Sequence, residues 1–348
     1  MDSQRQTEQQ LSAADQKSGG ARLLLGWSVT LILAVGLIGV LWPRVATLDQ
    51  WPGVAQLTAF RPQLTVAVII LAGLGLGTRL RYKSLVFLLI GVISAGGLLS
   101  RIVGDTAPQT GTQLRVLTLN VTRDSTDQVE LIRLIRTETP HVIALPEASK
   151  PYVTELVASF AGEYTAATDV RRARDPERRR PGYENEPANA AATSVLVRSE
   201  VPTEFRPATP YTTLGSMQLT IELQGRQVDI QVVHAHPPLP FAEYKWMNDL
   251  ELVSPSCRTS RPTVVLGDFN ATLDHTALHD MLVNGCSDSA EQVGAGLTGT
   301  WPQDAPRWLG AMIDHVLVAG PGLSTSSVEI IDVPGGDHRA VSVGLRLQ

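Results

Sequence analysis

Apolar residues follow one pattern in the first third of the chain and another in the remainder. Three long uncharged runs come first, at Leu23–Leu41, Leu64–Gly77 and Ser84–Ser100. The first run has about 19 residues, close to the number that crosses the hydrocarbon core of a bilayer as a helix. The second and third are rich in glycine, which favours close helix contact in lipid over the interior of a soluble helix. We therefore predict three transmembrane helices within residues 23–102.

Two other interpretations of these runs stay open. A cleaved signal peptide is the alternative for the first run, although no small-residue cleavage site follows Leu41 and two further apolar runs come next. Buried helices of a soluble domain are the alternative for the second and third runs, and the glycine content disfavours them.

The positive charges between the runs predict the orientation. The connection Arg79–Lys83 holds three cations in five residues, and the tail at residues 1–22 carries cations too. Such segments stay in the cytoplasm when they flank membrane helices. We therefore expect a multi-pass protein of the cell membrane with a cytoplasmic tail at 1–22, a linker at 103–113 and an extracytoplasmic domain at 114–348.

From residue 114 onward the apolar positions indicate strands. Leu114–Val121 is rich in apolar and β-branched residues and predicts a strand that runs into Asn120. Apolar residues at helical spacing follow the N-cap candidates Ser125–Asp127, and this helix ends before Pro140. His141–Leu145 predicts a second, buried strand. Strand, helix and strand in this order indicate one parallel crossover.

The later segments predict mostly antiparallel pairing. Met217–Leu223 and Gln227–Val233 flank a glycine-containing turn and form a predicted hairpin, and Phe241–Val253 predicts a helix. About nine strands with a few helices indicate the α/β class and a sandwich of two sheets. The other predicted strands are Thr193–Arg198, Thr263–Leu266, Met312–Val318, Ser326–Val333 and Ala340–Leu347.

Composition and charge separate the same two regions. The chain has 348 residues, of which 43% are hydrophobic and 18% charged, and this excludes a disordered chain, a collagen and a disulfide-dense mini-protein. Residues 1–110 carry 9 Lys/Arg and 5 Asp/Glu, whereas residues 111–348 carry 20 and 29. One dense cationic segment, Arg171–Arg180, interrupts the acidic region. It is either a solvated loop or a positively charged rim that attracts anionic headgroups or phosphate.

Both cysteines, Cys257 and Cys286, lie in the predicted extracytoplasmic domain. A disulfide between them is allowed in an oxidising compartment. We favour the disulfide and keep two buried free thiols as the alternative.

Polar side chains end or interrupt the predicted strands of this domain. Sites in α/β layers form where strands end, so we expect these side chains to lie together. Carboxylate and amide oxygens suit Mg²⁺, which fills its shell with water and substrate phosphate oxygens. A histidine can supply a proton or face a phosphate as a cation, and a neighbouring aspartate fixes its tautomer. This set could direct water at a phosphate ester: Asn120, Glu147, His236, Asp268, Asn270, Asp314, Asp337 and His338.

From about Leu114 to the C-terminus the sequence resembles the endonuclease/exonuclease/phosphatase superfamily, which has a DNase I-like fold. GDFN alone is moderately specific and DH alone carries no information, but six motifs in the family's order are specific. The resemblance implies a four-layer α/β sandwich, with two mixed β-sheets flanked by helices, and a metal-dependent phosphoric ester hydrolase. The motifs are LTLNV, IALPE, VVHAHPPLP, VVLGDFNAT, IDHVLV and GGDHRAV.

The resemblance also implies which residues bind metal. Glu147 matches the main metal ligand, Asn120 lies beside it, and Asp337 matches a further ligand or metal-proximal carboxylate. The cation expected is Mg²⁺, with Mn²⁺ and Ca²⁺ as alternatives. Whether one metal or two are bound stays open.

The remaining roles concern the phosphate and the water. Asp268 matches the residue that orients or deprotonates the attacking water, and Asn270 one that holds a phosphate oxygen or the metal. His338 matches the histidine that contacts the scissile phosphate, held by Asp314. His236 matches the second histidine, a candidate general acid for the leaving oxygen. Which histidine acts as the acid stays open.

The places of the histidines in the predicted strands decide which of them we assign to the site. His234 points to the same face of its strand as His236. We choose His236 because the following Pro-Pro marks the end of the strand, and we keep His234 as the alternative. His141 replaces the family's Asp at the opening of the second strand, and we interpret it as structural. His275 and His315 are expected outside the site.

Two further positions bear on the resemblance. Pro146 stands where the family has Gln before the metal-binding Glu, which leaves the ligand itself in place. Trp301 either packs in the core, which we favour, or walls the leaving-group side. The middle of the chain offers no match for the family's phosphate-contacting Tyr or Arg.

The apolar region at residues 23–102 favours one class of substrate over others. Its layout resembles that of membrane-anchored bacterial members of the superfamily, including proteins associated with teicoplanin resistance. This resemblance implies a cell-envelope lipid or lipid-linked phosphate, such as a polyprenyl (pyro)phosphate or a phospholipid headgroup, as substrate and partner. A membrane-tethered extracytoplasmic nuclease or nucleotide phosphatase is the alternative, but the acidic domain disfavours nucleic acid. A catalytically silent binding protein is a third hypothesis, and protein partners are not predicted.

Overall fold

The computed structural model describes residues 25–105, 110–170, 189–207 and 212–348. The predicted tail at 1–22 and the arginine-rich segment Arg171–Arg180 lie outside these residues. Within them, a group of helices precedes a domain in which two six-stranded sheets lie between helices.

The helices fall into two groups. The first is the helical region, residues 25–105, which contains α1 with 25–41 as its described part, α2 (Val54–Ala59), α3 (Arg61–Leu76) and α4 (Arg81–Gly96), with 3₁₀ helices at Pro43–Ala46, Leu48–Gln50 and Leu99–Arg101. The second belongs to the sandwich and comprises α5 (Gln128–Glu138), α6 (Lys150–Ala158), α7 (Glu243–Val253), α8 (Thr276–Val283), α9 (Ser289–Gln292) and a 3₁₀ helix at Ser254–Cys257.

The first sheet has the strand order β11-β12-β1-β2-β4-β3. Its β1 and β2 are parallel and are joined through α5, which confirms the predicted crossover. All its other neighbours are antiparallel. The strands are β1 (Thr112–Thr118), β2 (Val142–Pro146), β3 (Tyr164–Val170), β4 (Ala192–Arg198), β11 (Leu323–Ile331) and β12 (Ala340–Leu347).

The second sheet has the order β5-β6-β7-β8-β10-β9. Its β7 and β8 are parallel, its other neighbours are antiparallel, and β6 with β7 forms the predicted hairpin. Both sheets are therefore mixed. The strands are β5 (Thr203–Pro207), β6 (Ser216–Leu223), β7 (Arg226–His234), β8 (Thr263–Asp268), β9 (Cys286–Asp288) and β10 (Asp314–Ala319).

Three apolar clusters hold the layers together. The inner faces of both sheets pack on each other, with Val116 and Val343 of the first sheet in one cluster with Leu266 and Val316 of the second. The outer face of the first sheet packs on α5 and α6, and that of the second on α7 and α8. The order helix, sheet, sheet, helix is the predicted four-layer α/β sandwich, which is confirmed.

Three strands were not predicted, and all three lie at an edge of a sheet. They are β3, β5 and β9. An edge strand pairs on one side only and is often short or polar, so its sequence alternates weakly between apolar and polar positions. The helices α2, α6, α8 and α9 were also not predicted.

Cys257 and Cys286 form a disulfide, as we favoured. The bond joins the 3₁₀ helix after α7 to the first residue of β9, and 29 positions separate the two cysteines. It fastens a short edge strand to the helical layer that covers the second sheet.

The helical region differs from the prediction of three transmembrane helices. Each apolar run does form a helix, but among the described residues none is both long and apolar enough to cross a membrane. The physical reason lies in where the helices end. Pro43 follows the first run and cannot continue a helix. The helices α3 and α4 have 16 residues each and are followed by Gly77 and Gly97, whose helix propensity is low.

Glycine nevertheless has the predicted packing role between α3 and α4. A Cβ atom on Gly91 would lie 2.7 Å from Cγ1 of Ile69. The two helices also share a buried hydrogen bond between the hydroxyls of Thr65 and Ser94, at 2.8 Å. These contacts make the α3–α4 pair a close helical hairpin.

Candidate active site

The predicted site residues come from strand ends of both sheets that meet at one edge of the sandwich. Asn120 and Glu147 follow β1 and β2, and Asp268 ends β8. Since β10 runs antiparallel to β8, its first residue, Asp314, pairs in register with Asp268. His338 precedes β12, which is antiparallel to β1. The sheet topology thus brings together residues that are up to 218 positions apart.

His338 lies at the centre of this group. Its Nδ1 lies 2.9 Å from Oδ2 of Asp314, and its Nε2 lies 3.9 Å from Oδ2 of Asp268 and 3.9 Å from Oδ1 of Asp337. Burial by itself lowers the pKa of His338, but the charges of Asp314, Asp268 and Asp337 outweigh it and raise the pKa to about 10. The ring is therefore an imidazolium at neutral pH, and its Nδ1–H donates to Asp314.

Asp268 is buried and held at both oxygens. Nδ2 of Asn120 donates to Oδ2 at 2.9 Å, and the backbone N–H of Asn270 donates to Oδ1 at 2.8 Å. Burial and the neighbouring Asp314 raise the pKa of Asp268 to about 7, against the opposing charge of His338. A carboxyl with such a pKa can accept a proton near neutral pH.

The last residues of β8 include Gly267, which lies against β7. Its φ is +143°, and a Cβ there would lie 1.9 Å from the carbonyl oxygen of Val233 on β7. Only glycine permits this approach of the two parallel strands. The GDFN motif therefore owes its glycine to the backbone and its Asp and Asn to the site.

Glu147 occupies a left-handed backbone conformation, with φ at +62°. Its Oε1 lies 3.3 Å from Nδ2 of Asn120 and 3.8 Å from Nε2 of His234, and its Oε2 lies 3.8 Å from Nε of Arg123. Burial raises the pKa of Glu147 despite the Asn120 hydrogen bond. A residue with a side chain rarely adopts this conformation, and strained backbone of this kind clusters at functional sites.

Asp337 is the exposed carboxylate of the site. Thr122 donates its hydroxyl to Oδ1 at 2.5 Å, and the indole Nε1 of Trp301 donates to Oδ2 at 3.1 Å. Burial raises the pKa of Asp337, but the hydrogen bond from Thr122, the charge of His338 and the bond from Trp301 outweigh it. The pKa therefore lies below its ordinary value.

The two candidate histidines at the end of β7, His234 as its last residue and His236 just beyond it, occupy different environments. The ring of His234 is buried and faces Glu147 at 3.8 Å. Nδ1 of His236 lies 2.7 Å from the carbonyl oxygen of Pro237, so it donates there as N–H, and the backbone N–H of His236 donates to the buried Asp249 at 2.8 Å. The structure thus places His234 beside a predicted metal ligand. The general-acid role of His236 stays a prediction.

Four residues of the site environment were not predicted as such. Thr122 and Arg123 follow Asn120 in a turn with positive φ, and Thr122 N–H donates to Oδ1 of Asn120 at 2.9 Å. Trp301 walls the site at Asp337, where we had favoured core packing. Asp249 fixes the backbone at His236 from α7. A polar turn directly after the Asn was the available signal for Thr122; Asp249 lies inside a helix, and sequence offers no signal for it.

The histidines expected outside the site have other partners. Nδ1 of His141 accepts from the backbone N–H of Arg115 at 3.0 Å. His315 is buried between Asp288 and the carbonyl of Ala271. His275 contacts the helical region.

The donor set fits a divalent cation. Carboxylate oxygens of Asp268 and Asp314 and a ring nitrogen of His338 lie within 4.8 Å of one another, and Oδ1 of Asp314 is buried with no hydrogen-bond partner among the described residues. The protonated ring of His338 donates hydrogen bonds and does not itself ligate a cation. Glu147, whose side chain is 18% exposed, and Asp337, at 52%, add two more carboxylates nearby. Because Mg²⁺ retains several water ligands, these more exposed carboxylates suit it better than the buried histidine–aspartate pair.

Fold and site together define a class: a two-sheet α/β sandwich that carries a carboxylate and histidine centre at one edge. A family model described as "Endonuclease/Exonuclease/phosphatase family" matches residues 115–338. The chain therefore belongs to this family, whose members include phosphodiesterases and nucleases that hydrolyse phosphate esters. The family is dependent on divalent metal ions. No curated protein sequence matches the chain significantly.

Solved structures share the fold at low sequence identity. An endonuclease/exonuclease/phosphatase from Beutenbergia cavernae is 18% identical with a TM-score of 0.52, and the match covers 68% of this chain and 72% of that one. TDP2 from D. rerio, complexed with a single-strand DNA product, is 16% identical with a TM-score of 0.51 over 68% and 99%. The human Nocturnin catalytic domain with bound sulfate is 14% identical with a TM-score of 0.50 over 68% and 94%.

Proposed function

We propose that the protein is a divalent-metal-dependent phosphoesterase that hydrolyses a phosphate ester or pyrophosphate of a cell-envelope lipid or lipid-linked substrate. One observation carries the hydrolytic part. The buried His338 is bound to Asp314 through Nδ1 and lies 3.9 Å from both Asp268 and Asp337 through Nε2. This arrangement holds one cation and one proton acceptor side by side, as attack of water on a phosphate requires.

Each step of the hydrolysis is assigned to a side chain of this protein. Asp268 orients the attacking water and accepts its proton, for which a pKa of about 7 is suited. The imidazolium of His338 faces the phosphoryl oxygens and stabilises their developing charge. His236 supplies a proton to the leaving oxygen, and Asn270 holds a phosphate oxygen. A divalent cation, held by Glu147 with Asn120 and Asp337, would act as a Lewis acid on the phosphate.

The helical region supports a lipid substrate. Many apolar side chains of α1, α3 and α4 are exposed, and Leu31, Leu71 and Leu74 are 65%, 68% and 70% exposed. An apolar surface of this extent favours contact with a membrane or another apolar partner over water. We propose that this region attaches the protein to the cell membrane, so that the catalytic domain meets lipid headgroups.

The disulfide supports an extracytoplasmic position for that domain. Disulfides such as Cys257–Cys286 persist in oxidising compartments and are rare in the cytosol. The likeness to membrane-anchored members associated with teicoplanin resistance belongs to this same proposal. A reporter fused after Gln348 should therefore be active only if it is of a type that works outside the cytoplasm. Activity of a cytoplasmic reporter instead would contradict the location.

The substrate is tested with the full chain in detergent and in vesicles. Polyprenyl phosphates, polyprenyl pyrophosphates and phospholipids are supplied with Mg²⁺, Mn²⁺ or Ca²⁺ in turn, and with a chelator. Plasmid, oligonucleotides and nucleotides are run alongside. We expect chelator-sensitive release of phosphate or headgroup from a lipid, lost in His338→Ala. Cleavage of nucleic acid or nucleotides alone would establish the alternative, and equal inertness of wild type and variant would favour a silent binding protein.

Asp229→Asn is a matched control for every variant below. Asp229 pairs with Arg206 and Arg261 near the start of β7, whereas the site lies where β7 ends. Losing this partly exposed pair should leave the turnover unchanged, because surface ion pairs contribute little.

A further inference from the structure

The loop between β8 and α8 connects the active site to the helical region. This loop, residues 269–275, starts directly after Asp268 and contains Asn270. At its first end it belongs to the site, because Asn270 donates its backbone N–H to Asp268 and its Nδ2 to the carbonyl of Ala235 at 3.0 Å. The position of Asn270 therefore depends on how the loop runs.

The other end of the loop is held by an ion cluster from the helical region. Arg101 binds both carboxylate oxygens of Asp274, with Nη1 at 2.7 Å from Oδ2 and Nη2 at 2.9 Å from Oδ1. Arg61 donates to Oδ1 of the same carboxylate. The side chains of Arg61, Arg101 and Asp274 are 8%, 6% and 1% exposed. Two buried guanidinium groups thus meet one buried carboxylate.

Residues on either side of Asp274 have partners in the helical region as well. Nη2 of Arg44 donates to the carbonyl of Leu273 at 2.7 Å. His275 donates from Nε2 to the carbonyl of Ala55 at 2.9 Å, and its Nδ1 accepts from the N–H of Thr272. Every residue from 273 to 275 is therefore bound by the helical region.

The first residue of α8 completes the set. Oδ2 of the buried Asp49 accepts the backbone N–H of Thr276 at 2.7 Å, and its Oδ1 accepts the Thr276 hydroxyl. The N-cap of α8 is His275, whose side chain makes no capping bond. Asp49 thus supplies from the helical region the acceptor that an N-cap side chain usually supplies.

Electrostatics explains why the cluster specifies one geometry. Burial raises the pKa of Asp274, but Arg101 and Arg61 outweigh it, so the pKa lies below its ordinary value and the group stays charged. Burying three charges is costly, and only close, directional pairing offsets it. A bidentate Arg–carboxylate contact fixes both distance and orientation. A displaced helical region would leave these charges unpaired.

We propose that the helical region is a positioning element of the active site: by binding Asp274 through Arg61 and Arg101 it sets the loop that places Asn270 against Asp268. The inference rests on the proposed hydrolase function for its kinetic consequence. Asp274 touches no reacting group, so it is a positioning residue. Movement of the helical region, for example on contact with lipid, then reaches the phosphate site through this loop.

The test compares Asp274→Asn with Asp229→Asn in the full chain. Asp229, like Asp274, is a carboxylate bound by two arginines, but it lies away from the site. We expect Asp274→Asn to lower kcat by about tenfold to a hundredfold, because a misplaced group near the reacting atoms costs that much. The KM should change by less than about threefold, and Asp229→Asn should keep wild-type values.

Hydrogen exchange supplies a readout that loss of stability alone would not move. We expect the amides of residues 269–276, including Asn270, to exchange faster in Asp274→Asn, whereas the amides of the first sheet keep their protection. If the Asp274 ion pairs only stabilise the fold, their loss would speed amide exchange at residues 273–276 and leave exchange at Asn270 unchanged. That result, or a kcat within about twofold of wild type, would overturn the proposal.

Two further outcomes are possible: the variant does not fold, or the wild type shows no activity. If Asp274→Asn does not fold, Arg101→Lys decides by the same criteria, because lysine keeps the charge but loses the bidentate contact. If the wild type hydrolyses no substrate, the proposed function fails. Exchange at Asn270 then decides the positioning role by itself: faster exchange in the variant supports it, and unchanged exchange ends it.

Discussion

Nδ1 of His338 lies 2.9 Å from Oδ2 of Asp314, and neither side chain is more than 8% exposed. The aspartate comes from the first residue of β10 in one sheet, and the histidine precedes β12 in the other. This bond therefore links the two sheets across the site. It also keeps the imidazolium oriented with Nε2 toward Asp268 and Asp337.

Loss of this bond should impair catalysis more than stability. We predict that Asp314→Asn lowers kcat by about a hundredfold or more, because the ring loses both its orientation and the charge that keeps it protonated. Turnover of the full chain under saturating metal measures this, with Asp229→Asn as control and circular dichroism to confirm folding. Activity within about threefold of wild type would exclude the pair from the reaction.

The raised pKa of His338 predicts a direction for stability against pH. The pKa is about 10 in the folded protein, above the ordinary value of 6.5. Folding therefore favours the protonated ring, so this contribution is fully present below pH 6.5 and is lost as pH rises through about 10. Denaturant unfolding of metal-free protein between pH 6 and 10, with wild type and His338→Gln compared, measures it. Parallel pH curves for the two proteins would contradict the prediction.

Substitution of Glu147 should separate metal binding from backbone strain. We predict that Glu147→Ala and Glu147→Gly both lose metal-dependent turnover while the fold stays intact. The glycine variant should be about 1 kcal/mol more stable than the alanine variant, because φ is +62° here and glycine adopts that region freely. Turnover with Mg²⁺ and with a chelator, together with denaturant unfolding, tests both parts. Chelator-sensitive turnover that survives in either variant would refute the ligand assignment.

The role of His236 is testable through the leaving group. We predict that His236→Ala slows esters with poor leaving groups more than activated aryl esters, since an activated group departs without a proton. His234→Ala, at the neighbouring histidine beside Glu147, serves as the comparison. Equal slowing of both ester types in His236→Ala would argue against general-acid catalysis. The expected selectivity in His234→Ala instead would move the role to that residue.

The disulfide should stabilise the contact between the second sheet and the helical layer that covers it. Closing a loop with 29 positions between the cysteines restricts the unfolded chain, so Cys257→Ser with Cys286→Ser should lower the free energy of unfolding by about 3 kcal/mol. Denaturant unfolding measures it, with hydrolysis as a second readout that should change little. An unchanged unfolding midpoint would show that the link does not constrain the chain.

Most central strands could be predicted because burial on both sides leaves a local apolar pattern. That holds for β1, β2, β4, β6, β7, β8, β10 and β12, and for α5 with its Asp127 cap. Of the edge strands, β11 could also be predicted, whereas β3, β5 and β9 could not, since pairing on one side often leaves a weak pattern. The family's strand-end motifs likewise indicated all eight predicted site residues, because polar residues after apolar strands are a local signal.

The three apolar runs show where a local pattern is insufficient. Apolar composition predicted the helices and the residues at which the first two end, but not that Arg61, Arg101 and their neighbours contact the sandwich.

The sequence by itself determined the layers, the family and the residue types at the site. Only the tertiary structure decided which nitrogen of His338 faces Asp314, that His234 lies against Glu147, that Trp301 donates to Asp337, and that Arg61 and Arg101 meet at Asp274. The physical reason is distance along the sequence. The apolar and polar alternation of a strand depends only on residues adjacent in the sequence. The contacts named above join residues of different elements, 24 to 213 positions apart, and they exist only once the two sheets and the helical region have packed.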